Sequence, residues 1–167
     1  MIYMGIDAST TSTGLGIFNN QELIYYECIK PSKKLEWEDR IGEIAKRLNE
    51  ILIEFNNIEK VYVEDVPLKD GKPTLVKLAC VRGAIKSICA LHNIELNPQK
   101  INEWREHANF YDGTTKGLKR DEMKQKAIIE VKNLFNIDVN DDVAEGILVG
   151  YRTVYPKSHK GFNKKNK

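Results

Sequence analysis

The feature that most constrains this chain is an acidic, hydroxyl-rich turn between two apolar runs near its start. Residues 2–4 and 15–18 are apolar, and the turn between them contains Asp7, Gly14 and five serine or threonine residues. Serine, threonine and glycine favour a sharp reversal of the chain, so the pattern predicts a β-hairpin. A carboxylate at the end of a buried strand is costly unless it caps the turn or faces a cation. This stretch alone leaves both roles of Asp7 open.

The remaining sequence predicts the element order β-β-β-α-β-α-β-α-α-α. Aromatic and β-branched residues favour strands over residues 22–30, 60–67 and 93–97. Apolar residues at helical spacing favour helices over 35–55, 73–92, 98–107 and 119–135, and a last helix that begins near residue 141. Strands joined by tight turns pair antiparallel, whereas strands separated by a helix run parallel. We therefore expect an α/β fold with a mixed five-stranded sheet, three antiparallel strands followed by parallel ones, and helices on both faces.

The chain has 167 residues, of which 41% are hydrophobic and 30% charged, and this composition indicates one globular domain. No apolar run approaches the roughly 20 residues that cross a bilayer. No secretory signal begins the chain either, so we expect a cytoplasmic protein without a membrane segment. The three cysteines have no metal-type spacing. Residues 156–167 contain five lysines and no acid, which predicts a basic, disordered tail after a folded domain at residues 1–155.

Acidic residues recur where the predicted fold brings distant parts of the chain together. The strand over 60–67 should lie parallel to the first strand, so Glu64 is expected beside Asp7 at the carboxyl edge of the sheet. Asp142 and Glu145 are three residues apart on the last predicted helix and project from one of its faces. We expect these four side chains to converge.

Four carboxylates at one edge would repel one another if poorly solvated, and hard divalent cations remove that repulsion. The set therefore predicts a site for Mg²⁺ or Mn²⁺. Two such ions roughly 4 Å apart activate a water and stabilise the leaving oxygen in phosphoryl displacement. Two alternatives stay open for the last helix. Acids in a first turn also oppose the helix dipole, and Asp138 and Asp141 have the same three-residue spacing.

Four segments of the chain resemble the RuvC-type Holliday-junction resolvases in order and spacing. They are MGID (4–7) with the serine, threonine and glycine residues after it, VYVEDV (61–66), LACVRG (78–83) and DDVAEGILV (141–149), within residues 1–155. The last segment is similar to the family's final helix, in which two acids three apart precede small and apolar residues. The resemblance implies an RNase H-like fold and a homodimer that uses Mg²⁺ to nick junction DNA.

The resemblance also implies roles for individual residues. The ligands of two metal ions would be Asp7, Glu64, Asp142 and Glu145. In this family, basic residues between the fifth strand and the last helix face the scissile phosphate. Lys124 matches them best and would act in catalysis, and DNA would also bind to Arg105, Lys119 and Arg120. A solvated helix face is the alternative explanation for these basic residues.

Several positions depart from the family pattern. Glu145 is one methylene longer than the usual Asp, and residues 8–9 replace a frequent Pro-Gly pair. Residues 67–68 stand where bacterial members have an aromatic side chain thought to probe the junction centre. Phe110 and Tyr111 are candidates to supply base stacking instead. These departures fit a bacteriophage-type branch, whose members would act inside a bacterial host cell.

Other functions are also considered. The pattern from Gly5 to Thr11 resembles the phosphate-binding hairpin of sugar kinases and actin-like ATPases, but those proteins need a second hairpin and no repeat is present. An RNase H or transposase-like nuclease would use the same acids, and the segment LACVRG favours a resolvase over both. A junction-binding protein with weak or lost catalysis stays an alternative.

The expected partners are branched DNA and a second copy of the chain. Four-way junctions are the principal substrate that the resemblance implies, with three-way junctions and replication forks as further substrates. Ala79, Gly83 and Ser87 are small residues four positions apart on the second predicted helix. They would let another helix approach closely, either within the domain or across a dimer interface.

Overall fold

The computed structural model describes residues 1–66, 71–110 and 119–157. Its elements follow the predicted order and are β1 (Ile2–Asp7), β2 (Thr13–Asn19), β3 (Glu22–Ile29), α1 (Trp37–Glu54), β4 (Lys60–Glu64), α2 (Lys72–Leu91), β5 (Glu95–Gln99), α3 (Ile101–His107), α4 (Arg120–Phe135) and α5 (Asp141–Val154). The predicted α/β fold is confirmed. Among these helices, none combines the length and apolar content that crossing a membrane requires.

The five strands form one mixed sheet in the order β3-β2-β1-β4-β5. β1, β2 and β3 pair antiparallel, and β4 and β5 run parallel to β1. Ile6 of β1 lies opposite Val63 of β4. The two strands therefore end side by side, with Asp7 as the last residue of one and Glu64 as the last residue of the other.

The alternation of side chains along the strands gives the sheet two different faces. Met4 and Ile6 of β1 point into a hydrophobic core formed with α1 and α2. Gly5 lies on the opposite face against α5, and Asp7 shares that face because it is two residues further on. The same alternation places Glu64 of β4 there. The two acids at the strand ends therefore share the face that α3, α4 and α5 cover.

Two predicted boundaries near β5 are wrong. The strand covers Glu95–Gln99 instead of residues 93–97, and α3 begins at Ile101 instead of residue 98. Asn93 belongs to the preceding turn, where it has a left-handed conformation (φ 55°) and its N–H donates to the Ala90 carbonyl over 3.1 Å. Pro98 continues β5 because an edge strand has alternate N–H groups that face away from its neighbour.

The end of the described chain is attached to the helical layer. The Lys157 ammonium lies 2.8 Å from the Glu130 carboxylate, and the Lys157 N–H donates to the His107 carbonyl over 2.9 Å. Glu130 also pairs with Arg152 of α5, and both of these side chains are buried. Residues 158–167, which include most of the predicted basic tail, lie outside the described residues, so the tail stays a prediction.

Helix α5 contacts the backbone of β1 and β2 through glycines. A Cβ atom on Gly14 would lie 1.9 Å from the Asp142 carbonyl oxygen, and one on Gly146 would lie 2.2 Å from the Gly14 carbonyl oxygen. A Cβ atom on Gly150 would likewise lie 2.8 Å from Gly5 Cα. Larger residues at these positions would hold the helix away from the sheet. The glycines thus seat the first two turns of α5, with their acids, against the strand ends.

We expect Gly146→Ala to lower the free energy of unfolding by about 1–3 kcal/mol, the usual range for overpacking a well-packed site. The added methyl group meets backbone, which cannot rotate away as a side chain can. Gly42→Ala is the matched control, because Gly42 lies within α1 and a Cβ atom added there would meet no atom of the described residues within 4 Å. Its higher helix propensity should raise stability by up to about 1 kcal/mol. Urea unfolding measures the change in the free energy of unfolding for both variants. Equal changes of the same sign would contradict a close backbone contact at Gly146.

Candidate active site

An open cleft of about 550 Å³ lies at the carboxyl ends of β1 and β4, where the face covered by α5 meets solvent. Its lining includes the four acids proposed from the sequence, Asp7, Glu64, Asp142 and Glu145. Three of the four basic residues proposed from the sequence also line it, namely Arg105, Arg120 and Lys124. Lys119 is not among the lining residues and is exposed at the residue before α4. The cleft thus combines an acidic cluster with basic side chains.

Local structure fixes the direction in which α5 presents its acids. The Asn140 side chain caps the helix by accepting a hydrogen bond from the Val143 N–H over 2.9 Å. Asp142 lies in the first turn, and Glu145 lies on the same face one turn later. Glu145 is only 8% exposed, although glutamate is almost never buried without a partner.

Three of the four acids accept a hydrogen bond from a donor elsewhere in the fold. The pairs are Glu64 with the Trp104 indole N–H (2.9 Å), Asp142 with the Ser12 hydroxyl (2.6 Å) and Glu145 with the Arg105 guanidinium (2.9 Å). Within the described residues, the Asp7 carboxylate has no hydrogen-bond donor. Hydrogen bonds therefore hold the cluster in place at three of its four carboxylates, and Asp7 is the exception within the described residues.

The pKa of Asp7 is raised well above its usual range. Burial is the largest cause, because desolvation disfavours the charged form, and repulsion from Glu64, Glu145 and Asp142 adds to it. The nearby positive charge of Arg105 opposes the shift. In the absence of a further cation, the fold thus disfavours the ionised form of Asp7.

Glu64 experiences a similar environment. Burial raises the pKa of Glu64 to about 7, whereas the hydrogen bond from Trp104 and the charge of Arg105 act in the opposite direction. Repulsion from Glu145 is part of this rise, and the charge of Arg120 also opposes it. Two neighbouring carboxylates with raised pKa values, in a cleft, are typical of a functional site.

The alternative pair of acids, Asp138 before α5 and Asp141 as the first residue of α5, lies outside the cleft lining. The Asp138 side chain is 89% exposed and pairs with Lys132 over 2.7 Å. Asp141 forms an ion pair with Lys124, and this contact lowers the pKa of the Asp141 carboxyl and raises the pKa of the Lys124 ammonium. Lys124 is therefore engaged at the rim of the cleft by a carboxylate that is not one of the four.

The donor set of the cleft fits a hard divalent cation. Among the residues that the structure describes, no three His, Cys, Asp or Glu side chains are already arranged as a metal site. The acids nevertheless supply oxygen ligands of the type that Mg²⁺ and Mn²⁺ prefer. Asp7, which the other three acids repel, is the position at which a cation would relieve most repulsion.

Sequence reasoning missed two residues that hold the acids. Ser12 was visible only as one hydroxyl in a turn, and Trp104 only as the neighbour of Arg105. A tryptophan in a short polar helix is the one signal that could have drawn attention to α3, because its apolar ring requires a buried position.

The proposal that Phe110 offers a base-stacking surface is wrong. Phe110 is 3% exposed, and its ring packs edge-on against the Trp104 ring at 5.9 Å between centroids. Hydrophobic burial therefore directs this side chain into the core. Tyr111 and residues 67–68 lie outside the described residues.

We expect Asp7→Asn to raise the melting temperature at neutral pH in EDTA. A group whose pKa is raised by folding stabilises the fold when protonated, and that stabilisation is lost as the pH rises through the folded-state pKa. The amide removes this loss, so the variant should melt about 3 °C higher or more, since 1 kcal/mol corresponds to about 2–4 °C in a chain of this size. The gain should shrink at acidic pH.

The matched control for this measurement is Asp138→Asn, which removes an exposed acid. Its melting temperature should stay close to that of the wild-type protein at every pH, because exposed ion pairs contribute little. An Asp7→Asn protein that is less stable than wild type in EDTA would contradict the electrostatic strain assigned to Asp7.

The sequence comparisons with known proteins point to one family. The sequence matches the family model for "Crossover junction endodeoxyribonuclease RuvC" over residues 3–145. The protein of that name from Rickettsia akari is 27% identical over 158 residues, which cover 90% of this chain and 95% of the relative. The protein of that name from Alkaliphilus metalliredigens is 28% identical over 153 residues, which cover 89% of this chain and 90% of the relative.

A solved structure of Thermus thermophilus RuvC in complex with a Holliday junction substrate has the same fold, with a TM-score of 0.75 at 18% identity and 93% coverage of both chains. This likeness confirms the RNase H-like fold predicted from the sequence. The bacteriophage-type branch stays a prediction. Because the family model covers most of its length, the chain belongs to the RuvC family of crossover junction endodeoxyribonucleases.

Proposed function

We propose that this protein resolves Holliday junctions as a structure-selective, metal-dependent DNA endonuclease. The observation that carries the proposal is the convergence of four acids from β1, β4 and α5 in one cleft. In the proposed site, two Mg²⁺ or Mn²⁺ ions bind to Asp7, Glu64, Asp142 and Glu145. Three-way junctions and replication forks are further proposed substrates.

The chemistry of the proposed reaction is phosphodiester hydrolysis. The bound ions would activate a water and stabilise the leaving oxygen. Ser12 and Trp104 hold Asp142 and Glu64 in fixed orientations through their hydrogen bonds, which keeps the ligands organised without large rearrangement. At the cleft rim, Lys124 contributes positive charge where the phosphate develops negative charge.

The basic residues around the cleft support DNA as the substrate. Arg105, Arg120 and Lys124 line the cleft, and Lys119 is exposed just before α4. Contacts between such side chains and phosphates release counterions, so junction binding should weaken steeply with salt. We propose that the lysine-rich residues 158–167 add to this non-specific attraction.

We also propose that the active form is a homodimer joined through α2. The exposed face of this helix carries the small residues Ala79, Gly83 and Ser87, with Val76 53% exposed beside them. No atom of residues 1–66, 71–110 or 119–157 lies within 4 Å of the position that a Cβ of Gly83 would take, so a second helix has room to approach. A two-fold axis would place two clefts on symmetric strands of a junction.

Cleavage of a synthetic four-way junction tests the catalytic proposal. With millimolar Mg²⁺ or Mn²⁺ the wild-type protein should nick two strands symmetrically, and Asp7→Asn should reduce cutting by at least about 10³-fold while junction binding in EDTA is retained. Asp138→Asn should cut at the wild-type rate. Junction binding by the wild-type protein without any cutting would favour the alternative, a binding protein with lost catalysis. Retained cutting by Asp7→Asn would overturn the assignment of the site.

The oligomeric state tests the proposed interface. Light scattering after gel filtration should give about twice the chain mass of 19.2 kDa for the wild-type protein. Gly83→Lys should give a monomer, because a long charged side chain cannot be buried at a close helix crossing. Gly42→Lys is the matched control on the exposed side of α1 and should remain dimeric. A Gly83→Lys dimer would show that the chains associate through another surface.

A further inference from the structure

The Arg105 guanidinium lies inside the acidic cluster and not only at its rim. Its Nη2 donates to Glu145 Oε1 over 2.9 Å, and the two side chains are 16% and 10% exposed. Its positive charge also reaches two of the other acids, Asp7 and Glu64, and favours their ionised forms. One arginine thus partly compensates three carboxylates.

Of the other cations that line the cleft, Arg120 also favours the ionised form of Glu64 through its charge, but none donates a hydrogen bond to one of the four acids within the described residues. Arg82 pairs with Asp65 over 2.7 Å, and Lys124 pairs with Asp141 outside the cleft lining. Of the cations in the described part of the chain, Arg105 is therefore the one that donates a hydrogen bond to any of the four acids.

The position of Arg105 is also incompletely satisfied. Its Nε is buried and has no hydrogen-bond partner among the described residues. A buried donor without a partner is destabilising, so the guanidinium depends on its other contacts, a position 5.2 Å from the centroid of the Trp104 ring and the charged attraction of Glu145. Glu145 offers that attraction for as long as no stronger cation occupies the cluster.

We propose that Arg105 is a built-in counter-ion, which a divalent metal ion must displace from Glu145 when it binds to the cluster. This inference rests on the proposed function, because it assumes that the four acids are the metal ligands. A guanidinium and a divalent ion compensate the same carboxylates, so their occupancies of the cluster oppose each other. Arg105 is then a positioning residue that lowers the metal affinity of the free protein and keeps the acids assembled before metal binds.

Isothermal titration of metal-depleted protein with MnCl₂ alone, without DNA, tests this competition. Arg105→Gln should bind Mn²⁺ about tenfold more tightly than the wild-type protein, because the competing cation is gone. Arg82→Gln is the matched control, since it removes a cation of the same cleft that is paired with Asp65 and not with one of the four acids. Its Mn²⁺ affinity should change less than twofold.

Thermal unfolding in EDTA gives a second readout that does not depend on activity. Arg105→Gln should melt below the wild-type protein in EDTA and should gain more from saturating Mn²⁺ than the wild-type protein does. Arg105→Lys keeps the charge but not the planar donor, so its Mn²⁺ affinity should lie between those of Arg105→Gln and wild type. This variant serves the test if Arg105→Gln does not fold in EDTA.

The possible outcomes separate this inference from the proposed function. Unchanged or weaker Mn²⁺ binding by Arg105→Gln would overturn the role of Arg105 as a counter-ion. An equal gain of Mn²⁺ affinity in Arg82→Gln would overturn it too, because it would indicate only a general effect of charge. Asp7→Asn distinguishes failure of the counter-ion inference from failure of the proposed metal site. If it binds Mn²⁺ as the wild-type protein does, the proposed metal site itself fails, and the counter-ion fails with it.

Discussion

The close contact between α5 and the hairpin of β1 and β2 is the constraint on which the candidate site depends. At Gly14 and Gly146 the two backbones meet directly, without a side chain between them. The helix is buried continuously from Val143 to Arg152, so it is enclosed by the sheet on one side and α4 on the other. A helix packed in this way cannot rotate or slide without losing its contacts, and its acids are therefore fixed relative to the strand ends.

This geometry makes electrostatic repulsion an unavoidable part of the fold. Asp7 is the last residue of β1 and Glu64 is the last residue of β4, and these two strands pair in parallel. The two acids must therefore share one face and one edge of the sheet. Their raised pKa values are the consequence. A chain selected for stability alone would not keep two half-buried carboxylates there, so the arrangement is best explained by a requirement of function. The hydrogen bonds from Ser12, Trp104 and Arg105 limit the strain without removing it.

Much of this arrangement follows from local rules. Period-two alternation and the right-handed crossover rule are sufficient to bring Glu64 beside Asp7, and helical spacing puts two acids of α5 on one face. The pairs that orient the acids do not follow from such rules. Ser12 and Asp142 are 130 positions apart, and Arg105 and Glu145 are 40 positions apart. These contacts form only when the helices and the sheet are packed together in the complete fold. The same limit applies to Phe110, because its burial depends on contacts with the helical layer that its local sequence does not reveal.

Helix α3 shows how neighbouring residues acquire different roles from burial alone. Trp104 and Arg105 are consecutive, so their side chains leave the helix about 100° apart and reach different acids. Trp104 is fully buried and donates a neutral N–H to Glu64, which orients the carboxylate without adding charge. Arg105 reaches the cleft and offers Glu145 a full positive charge. A neutral donor can remain on a carboxylate that also binds a cation, whereas a charged donor opposes that cation. One short helix therefore supplies a permanent support for one acid and an exchangeable partner for another.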